Sequence, residues 1–365
     1  MGIVRSVIAV IPAALSVAGE GSLLTEKLPY LAQQNEGGRL IRLEERLDDR
    51  SILGLSNVSP AMSEGALLVA ALNHDPPAGS VHFRLTMLSL GTDGLLSTAG
   101  DVREEEIETL WPEIERLKTK RLTPLRGFGT DHALVWEQGS LDLGVTDPAL
   151  VTGNPYGEGL PDGDGEVMLR RFIEDSVDLL SEHEVNRRRV DEEKAPINLL
   201  WPWAPGMREL MPSLAIRRGA AARIVSQRFH LAGYARLAGY RPHWVRQPAI
   251  LRTPFQELSK IALNEPISVF VFDEVAQLRA MNRLEEAQWW LREWDTHFLG
   301  TLDASRSVDP QRFCLVLGGD SSHLVLVNDP RRLAQNSLPC DERAMEERLE
   351  TEETWQWFDS ELALR

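Results

Sequence analysis

The sequence predicts an α/β protein, with a largely parallel sheet flanked by helices and a small α+β domain inserted into it. Residues 3–11, IVRSVIAVI, and 267–272, ISVFVF, are unbroken or nearly unbroken apolar runs rich in β-branched side chains. That is the pattern of strands buried on both faces. Strand-like and helix-like segments also alternate on both sides of a loop-rich middle, as they do around parallel sheets. A chain of 365 residues can bury a sizeable core and form two domains.

Composition narrows the partners. The net charge of −16 argues against a general nucleic-acid binder, which needs a basic face for phosphates. Two cysteines, Cys314 and Cys340, make neither a disulfide framework nor a metal-type spacing, so a reducing, cytoplasmic setting is expected. Arg5 and the apolar run 7–18 have the outline of a secretory leader. Pro12 interrupts that run, and a first core strand is the preferred reading. No stretch is apolar over the length of a membrane span. Ten tryptophans should supply core or interface anchors.

The elements follow in order. After the strand at 3–11, residues 28–35 read as a helix and 39–43 as a short strand. Residues 63–72 read as a helix capped by Ser63. Residues 81–90 alternate and read as a strand. The segment 101–118 has an acidic first turn and an apolar face of Ile107, Leu110, Trp111, Ile114 and Leu117, so a helix is expected. Two short strands are expected within 122–137, loop through 139–165, and a helix over 166–183. Residues 181–206 read as a helix end, a charged turn and a buried strand around Leu199, Leu200, Trp201 and Trp203. Helices are then expected over 211–219, 229–238, 254–263 and 284–299. Strands are expected over 221–225, from Trp244, over 267–272, 313–317 and 324–327.

The central stretch also carries a likeness. His183, Val185, Asn186, Arg188 or Arg189, Pro196, Asn198, Trp201, Trp203 and Gly206 stand in an order that resembles the cofactor-independent phosphoglycerate mutases of the archaeal type. The resemblance implies an alkaline-phosphatase-like core from residues 1–80 and 190–330. It implies a small inserted domain with a linker helix at 81–189; Trp355, Trp357 and Phe358 lead us to expect that the acidic tail at 331–365 packs on the core. It also implies an isomerase that interconverts 3-phosphoglycerate and 2-phosphoglycerate with two divalent cations (Mn, Mg or Zn), at the carboxyl ends of the strands.

The family's reactive residues are mostly replaced. Its first strand ends in an acidic ligand, commonly Asp-Gly, where this chain has Pro12-Ala13-Ala14. Its nucleophilic serine precedes a motif like Ser51-Ile52-Leu53-Gly54. Here EERLDDR offers no hydroxyl, and Glu45 lies near the place by counting. Its Gly-Arg-Gly phosphate contact is Ser63-Glu64-Gly65, and its Arg-His pair is Asp131-His132. Its Gly-rich, Asp-Thr loop is replaced by QPAILRT at 247–253. Asp273 survives, but the histidine four residues on is Gln277. Asp320 matches an aspartate that Ser321 follows in place of histidine. Asp329-Pro330 survives, with Leu326 where a histidine is expected and His323 nearby out of register.

The remnant cleft is therefore assigned to Asp273, Asp320, His323 and Glu45, with no catalytic residue and no bound metal expected. Asp273 and Asp320 are expected to end neighbouring parallel strands, with Arg252 or Arg279 pairing the carboxylates in place of a cation. Arg84, Asn186, Arg188 and Asn198 are candidates for substrate binding. For the two asparagines, backbone hydrogen bonding is the other reading. Two functions remain. One is a non-catalytic descendant that binds a phosphorylated small molecule or a protein partner, without nucleic acid or membrane. The other is an active, divergent mutase or phosphatase.

Overall fold

The structure is a computed structural model. It describes residues 5–14, 28–31, 39–43, 48–53, 55, 61–211, 213, 216, 222–245, 250–305, 311–318, 323–328 and 351–352. Along the chain run β1 (Arg5–Ile11), β2 (Arg39–Leu43), α1 (Asp49–Leu53), α2 (Glu64–Ala71), β3 (Val81–Leu90), β4 (Leu96–Thr98) and α3 (Glu104–Glu115). Next come β5 (Leu122–Phe128), β6 (Asp131–Trp136), β7 (Leu143–Gly144), α4 (Pro148–Val151), β8 (Asp162–Gly163), α5 (Glu166–Leu180), α6 (Glu184–Asp191) and β9 (Leu199–Met207). The last part holds β10 (Ala222–Ser226), α7 (Phe229–Leu237), β11 (Arg241–Trp244), α8 (Phe255–Asn264), β12 (Ile267–Val271), α9 (Glu274–Ala280) and α10 (Leu284–Trp294). A π-helical turn, Asp295–Leu299, leads into α11 (Gly300–Ser305), followed by β13 (Gln311–Gly318), β14 (His323–Asn328) and β15 (Thr351–Glu352).

Two compact units result, one from Met1–Ser59 and Pro212–Arg365, the other from Pro60–Met211. The first is built on an eight-stranded sheet in the order β11-β10-β12-β1-β13-β14-β2-β15. The run from β11 to β13 is parallel, while β14 pairs antiparallel with both β13 and β2. β1 lies at the centre, pairing Ser6 to Val10 with Ile267 to Val271 on one side and Arg5 to Ile11 with Gln311 to Leu317 on the other. Its residues from Ser6 to Ile11 are buried, as the apolar run requires. One face of the sheet packs on α8, α10 and the π turn. There Phe272 meets Trp290 at 5.5 Å and Phe298 at 5.4 Å between ring centroids, edge to face.

The second unit has a five-stranded antiparallel sheet in which β3 pairs β4, β6 and β9. Val81, Phe83, Leu85 and Met87 of β3 pack with Ile107, Leu110 and Ile114 of α3 and Leu169 and Phe172 of α5. Helix α2 sits on the strand backbones. A Cβ at Gly65 would come within 2.4 Å of the His82 carbonyl oxygen and 2.7 Å of that of Ala204. Ser63 caps the helix, its Oγ accepting from the Ala66 N–H at 3.2 Å.

Several expectations are corrected. The boundaries at 80 and 190 fall instead near 60 and 211, because α2 packs on β3 and β9, and β9 hydrogen-bonds to β3 rather than to the larger sheet. The charged turn after residue 183 is the helix α6, with His183 as its N-cap: Nδ1 accepts from the Val185 N–H at 3.2 Å. Trp244 ends a strand instead of opening one. β12 and β13 are not neighbours; β1 separates them by two strand spacings, about 9–10 Å. The expected helix at 211–219 lies largely outside the described residues. So does the tail at 331–365, where Thr351–Glu352 pairs parallel with β2.

Asp295 is fully buried in the π turn, and its carboxylate accepts the N–H groups of Tyr30 (3.2 Å) and Leu31 (2.7 Å). Burial outweighs these bonds and pushes its pKa from 3.8 up to about 6. The native state therefore binds more protons than the unfolded chain between those values. The stability this contributes is present below the unfolded pKa and is lost as pH rises through the folded one. Asp295→Asn should remove that decline, worth at most about 3 kcal/mol, in melts followed from pH 4 to pH 7.

Candidate functional site

The site expected from the parallel sheet lies where its strands end. β10 and β12 pair with Ser226 opposite Val271. Arg228 and Asp273 each stand two residues beyond that pair, and so meet. Arg228 Nε donates to Asp273 Oδ2 at 2.8 Å and Nη2 donates to Oδ1, a bidentate grip, while Nη1 donates to Asp49 Oδ1 of α1 at 2.8 Å. The Ser226 hydroxyl sets the turn by accepting the Arg228 N–H at 3.0 Å. Burial alone would lower the guanidinium pKa; the bonds to Asp273 and the charges of Asp273 and Asp49 outweigh it and raise the pKa. The expected Arg–carboxylate pair is thus made by Arg228 instead of Arg252 or Arg279.

Beside this triad, Glu274 is 3% exposed. Its Oε1 accepts from Thr253 Oγ1 (2.8 Å) and Gln227 Nε2 (3.1 Å), while Gln277 Nε2 donates to Gln227 Oε1 at 3.2 Å. Burial raises the Glu274 pKa to about 7, and the Asp273 charge pushes the same way. Gln277, at the place of the family histidine, is thus one member of an amide network. At the end of β1, Ala13 has φ 61°, left-handed backbone that favours glycine.

Among the described residues no three His, Cys, Asp or Glu side chains gather to hold a metal ion. Asp273 does not fit a divalent cation, because both its oxygens are already hydrogen-bonded to a guanidinium. Glu45 and Asp320 lie outside the described residues, and of His323 only its place in β14 is described.

In the second unit Arg84 forms ion pairs with Glu64 and with Asp131 (2.6 Å), and stacks over the Trp203 ring at 4.6 Å. Two carboxylates thus occupy the guanidinium expected to bind substrate. Trp203 is itself held by its indole N–H on Thr86 Oγ1 at 2.8 Å. Asn186 is fully buried and spends its amide on the backbone: Nδ2 donates to Leu180 O and Ile197 O, and Oδ1 accepts from Ile197 N, all at 2.7–2.8 Å. Asn198 similarly bonds both backbone polar groups of Leu90. These asparagines join segments, the backbone-bonding role that was the other reading of both. Arg188 is exposed on α6. Its neighbour Arg189 is the buried one, paired with Glu106 (3.0 Å) and donating to the carbonyls of Ala195, Asp101 and Ala99. His132 accepts the Gly127 N–H on Nδ1 at 2.9 Å, and burial lowers its pKa to about 3.

Asn186→Ala should therefore cost about 1–3 kcal/mol and Arg188→Ala within about 0.5 kcal/mol, measured by denaturant unfolding. Ala13→Gly should stabilise by about 1 kcal/mol in the same assay.

Comparison with known proteins agrees with this layout. Residues 51–186 match the family described as 2,3-bisphosphoglycerate-independent phosphoglycerate mutase. A probable enzyme of that name from Geobacter sulfurreducens is 27% identical over 182 residues, 48% of this chain and 46% of that protein. One from Methanothrix thermoacetophila is 35% identical over 100 residues, 27% of this chain and 26% of that protein. The chain thus aligns with half or less of the length of these curated relatives. In fold, the cofactor-independent phosphoglycerate mutase of Thermoplasma acidophilum superposes with a TM-score of 0.68 at 17% identity, covering 98% of this chain and all of that one. The chain is accordingly similar to the cofactor-independent phosphoglycerate mutases, in sequence over residues 51–186 and in fold over nearly its whole length.

Proposed function

We propose that this chain is a phosphoglycerate mutase-like protein that has given up metal-dependent phosphotransfer and acts, in the cytoplasm, by binding a phosphorylated small molecule or a protein partner. The observation that carries the reading is the bidentate grip of Arg228 on Asp273. A two-cation site needs several oxygen and imidazole ligands at short range to clamp the attacking and leaving oxygens. Here a cation would first have to displace a guanidinium that already pairs with both Asp273 and Asp49. Gln277 and Pro12 stand at two further ligand positions of the family and offer no anionic or imidazole donor. In the second unit, Glu64 replaces an arginine and neutralises Arg84.

With Mn²⁺, Mg²⁺ or Zn²⁺ present, the wild-type chain should neither turn over 3-phosphoglycerate nor melt at a higher temperature. Arg228→Ala exposes Asp273 and Asp49, and should gain a Mn²⁺-dependent rise in Tm without gaining turnover. Wild-type turnover that Asp273→Ala abolishes would overturn the proposal and restore the divergent-enzyme reading.

A further inference from the structure

The β5–β6 hairpin turns tightly at its tip. The pairing register of the two strands shifts between Leu125 and Phe128, and Phe128 pairs with Asp131 to close the turn. Gly127 sits in the shift, where a Cβ would strike the Asp131 carbonyl oxygen. His132 is fully buried, and its Nδ1 accepts the Gly127 N–H at 2.9 Å. One imidazole thus bridges the two sides of the tip. The tip in turn is fastened to β3: the Thr130 carbonyl accepts the Met87 N–H at 2.9 Å, and Asp131 pairs with Arg84 at 2.6 Å.

An accepting Nδ1 fixes the protonation of the ring. Its lone pair faces Gly127, so the single proton is on Nε2. Imidazolium carries a proton on both nitrogens and would set one N–H against another. Nε2 has no hydrogen-bond partner among the described residues and is shut off from water. The ring lies against Trp111 of α3, 4.8 Å between centroids, an apolar neighbour for any charge. The surrounding charges are already committed. Arg126 of β5, which repels a proton on the ring, pairs with Glu104 (2.7 Å) and Glu108 (3.3 Å) of α3, and Asp131 pairs with Arg84 of β3. Burial and Arg126 lower the pKa to about 3, against a smaller opposite pull from the Gly129 backbone. A ring released into water titrates near about 6.5. Between these values the open tip binds more protons than the closed one, so falling pH favours opening.

We propose that the tip of the β5–β6 hairpin is an acid-released latch. Neutral His132 holds it shut, and a proton taken up by that ring opens it and draws Asp131 away from Arg84. The latch is independent of phosphotransfer and of metal. His82 of β3 is a second buried imidazole, its ring nitrogens unpartnered among the described residues. Its pKa is lowered to about 4 by burial and by His74 and Arg208. Leu85 and His132 stand opposite each other, so strand alternation puts His82 on the other face of the sheet. Its protonation bears on the unit at large, and a local comparison separates the two effects.

The test is hydrogen exchange of the full chain between pH 6.5 and pH 4.5, read by mass spectrometry and corrected for intrinsic exchange. Opening of the segment 122–136 should rise about tenfold for each pH unit below about pH 6. The α5 segment, 166–180, should rise by less. His132→Asn, whose Oδ1 can accept the Gly127 N–H and which does not titrate, should flatten the slope in 122–136 whatever its starting level. A flat wild-type profile, equal rises in both segments, or an undiminished slope in His132→Asn would overturn the proposal.

Discussion

Carboxylates at the mouth of a buried parallel sheet need a compensating cation, and the larger unit is arranged around how that need is met. β1 and its neighbours are buried on both faces, so polar chemistry is confined to the strand ends. Asp273 stands at one such end and Asp49 opens a helix nearby. A covalently attached guanidinium between them holds the charge at all times, where a metal ion would hold it only when bound. Such an arrangement is stable without any external ligand. It also ties α1, the turn into α7 and the start of α9 into one ion network.

The second unit explains why the likeness is strongest there. The matched stretch, residues 51–186, ends at Asn186 and takes in most of that unit. Its polar residues mainly serve packing and backbone: Asn186 joins α5 to the approach to β9, and Arg189 and Glu106 join α6 to α3. Gly65 is required where it stands because any larger residue would strike the strand backbone beneath it. Residues of this kind are retained whether or not a reaction is catalysed. A sequence comparison dominated by them reports shared scaffold and is silent on turnover.

Much of the fold was legible in the chain itself. The strands at 5–11, 81–90 and 267–271 followed from apolar runs or alternation, and the Ser63 cap followed from its place before an apolar helix. The place of Asp273 just past a strand end was legible because a buried apolar run leads straight into it. Arg228 was not, since its role depends on β10 lying beside β12, a pairing between segments some forty residues apart with no local signature. Once the pairing is known, counting two residues past each strand end finds the contact. Helix α6 was missed because its charged sequence, EVNRRRVD, carries few apolar residues to mark a period. The placement of β9 was missed for another reason: an apolar run says that a strand is buried, and says nothing of which sheet buries it.

The left-handed turn at Ala13 is held by its neighbours. An alanine held in this conformation means that the path of the chain at this strand end is dictated by its surroundings. Gly318 lies against it, with the position of a Cβ only 3.0 Å from Ala13 N and Pro12 Cα. Two segments in such close contact constrain each other, so neither can relax alone after a substitution. The shape of this strand end is thus set by backbone packing, and a change of side chain at residue 13 would alter its chemistry before it altered its path.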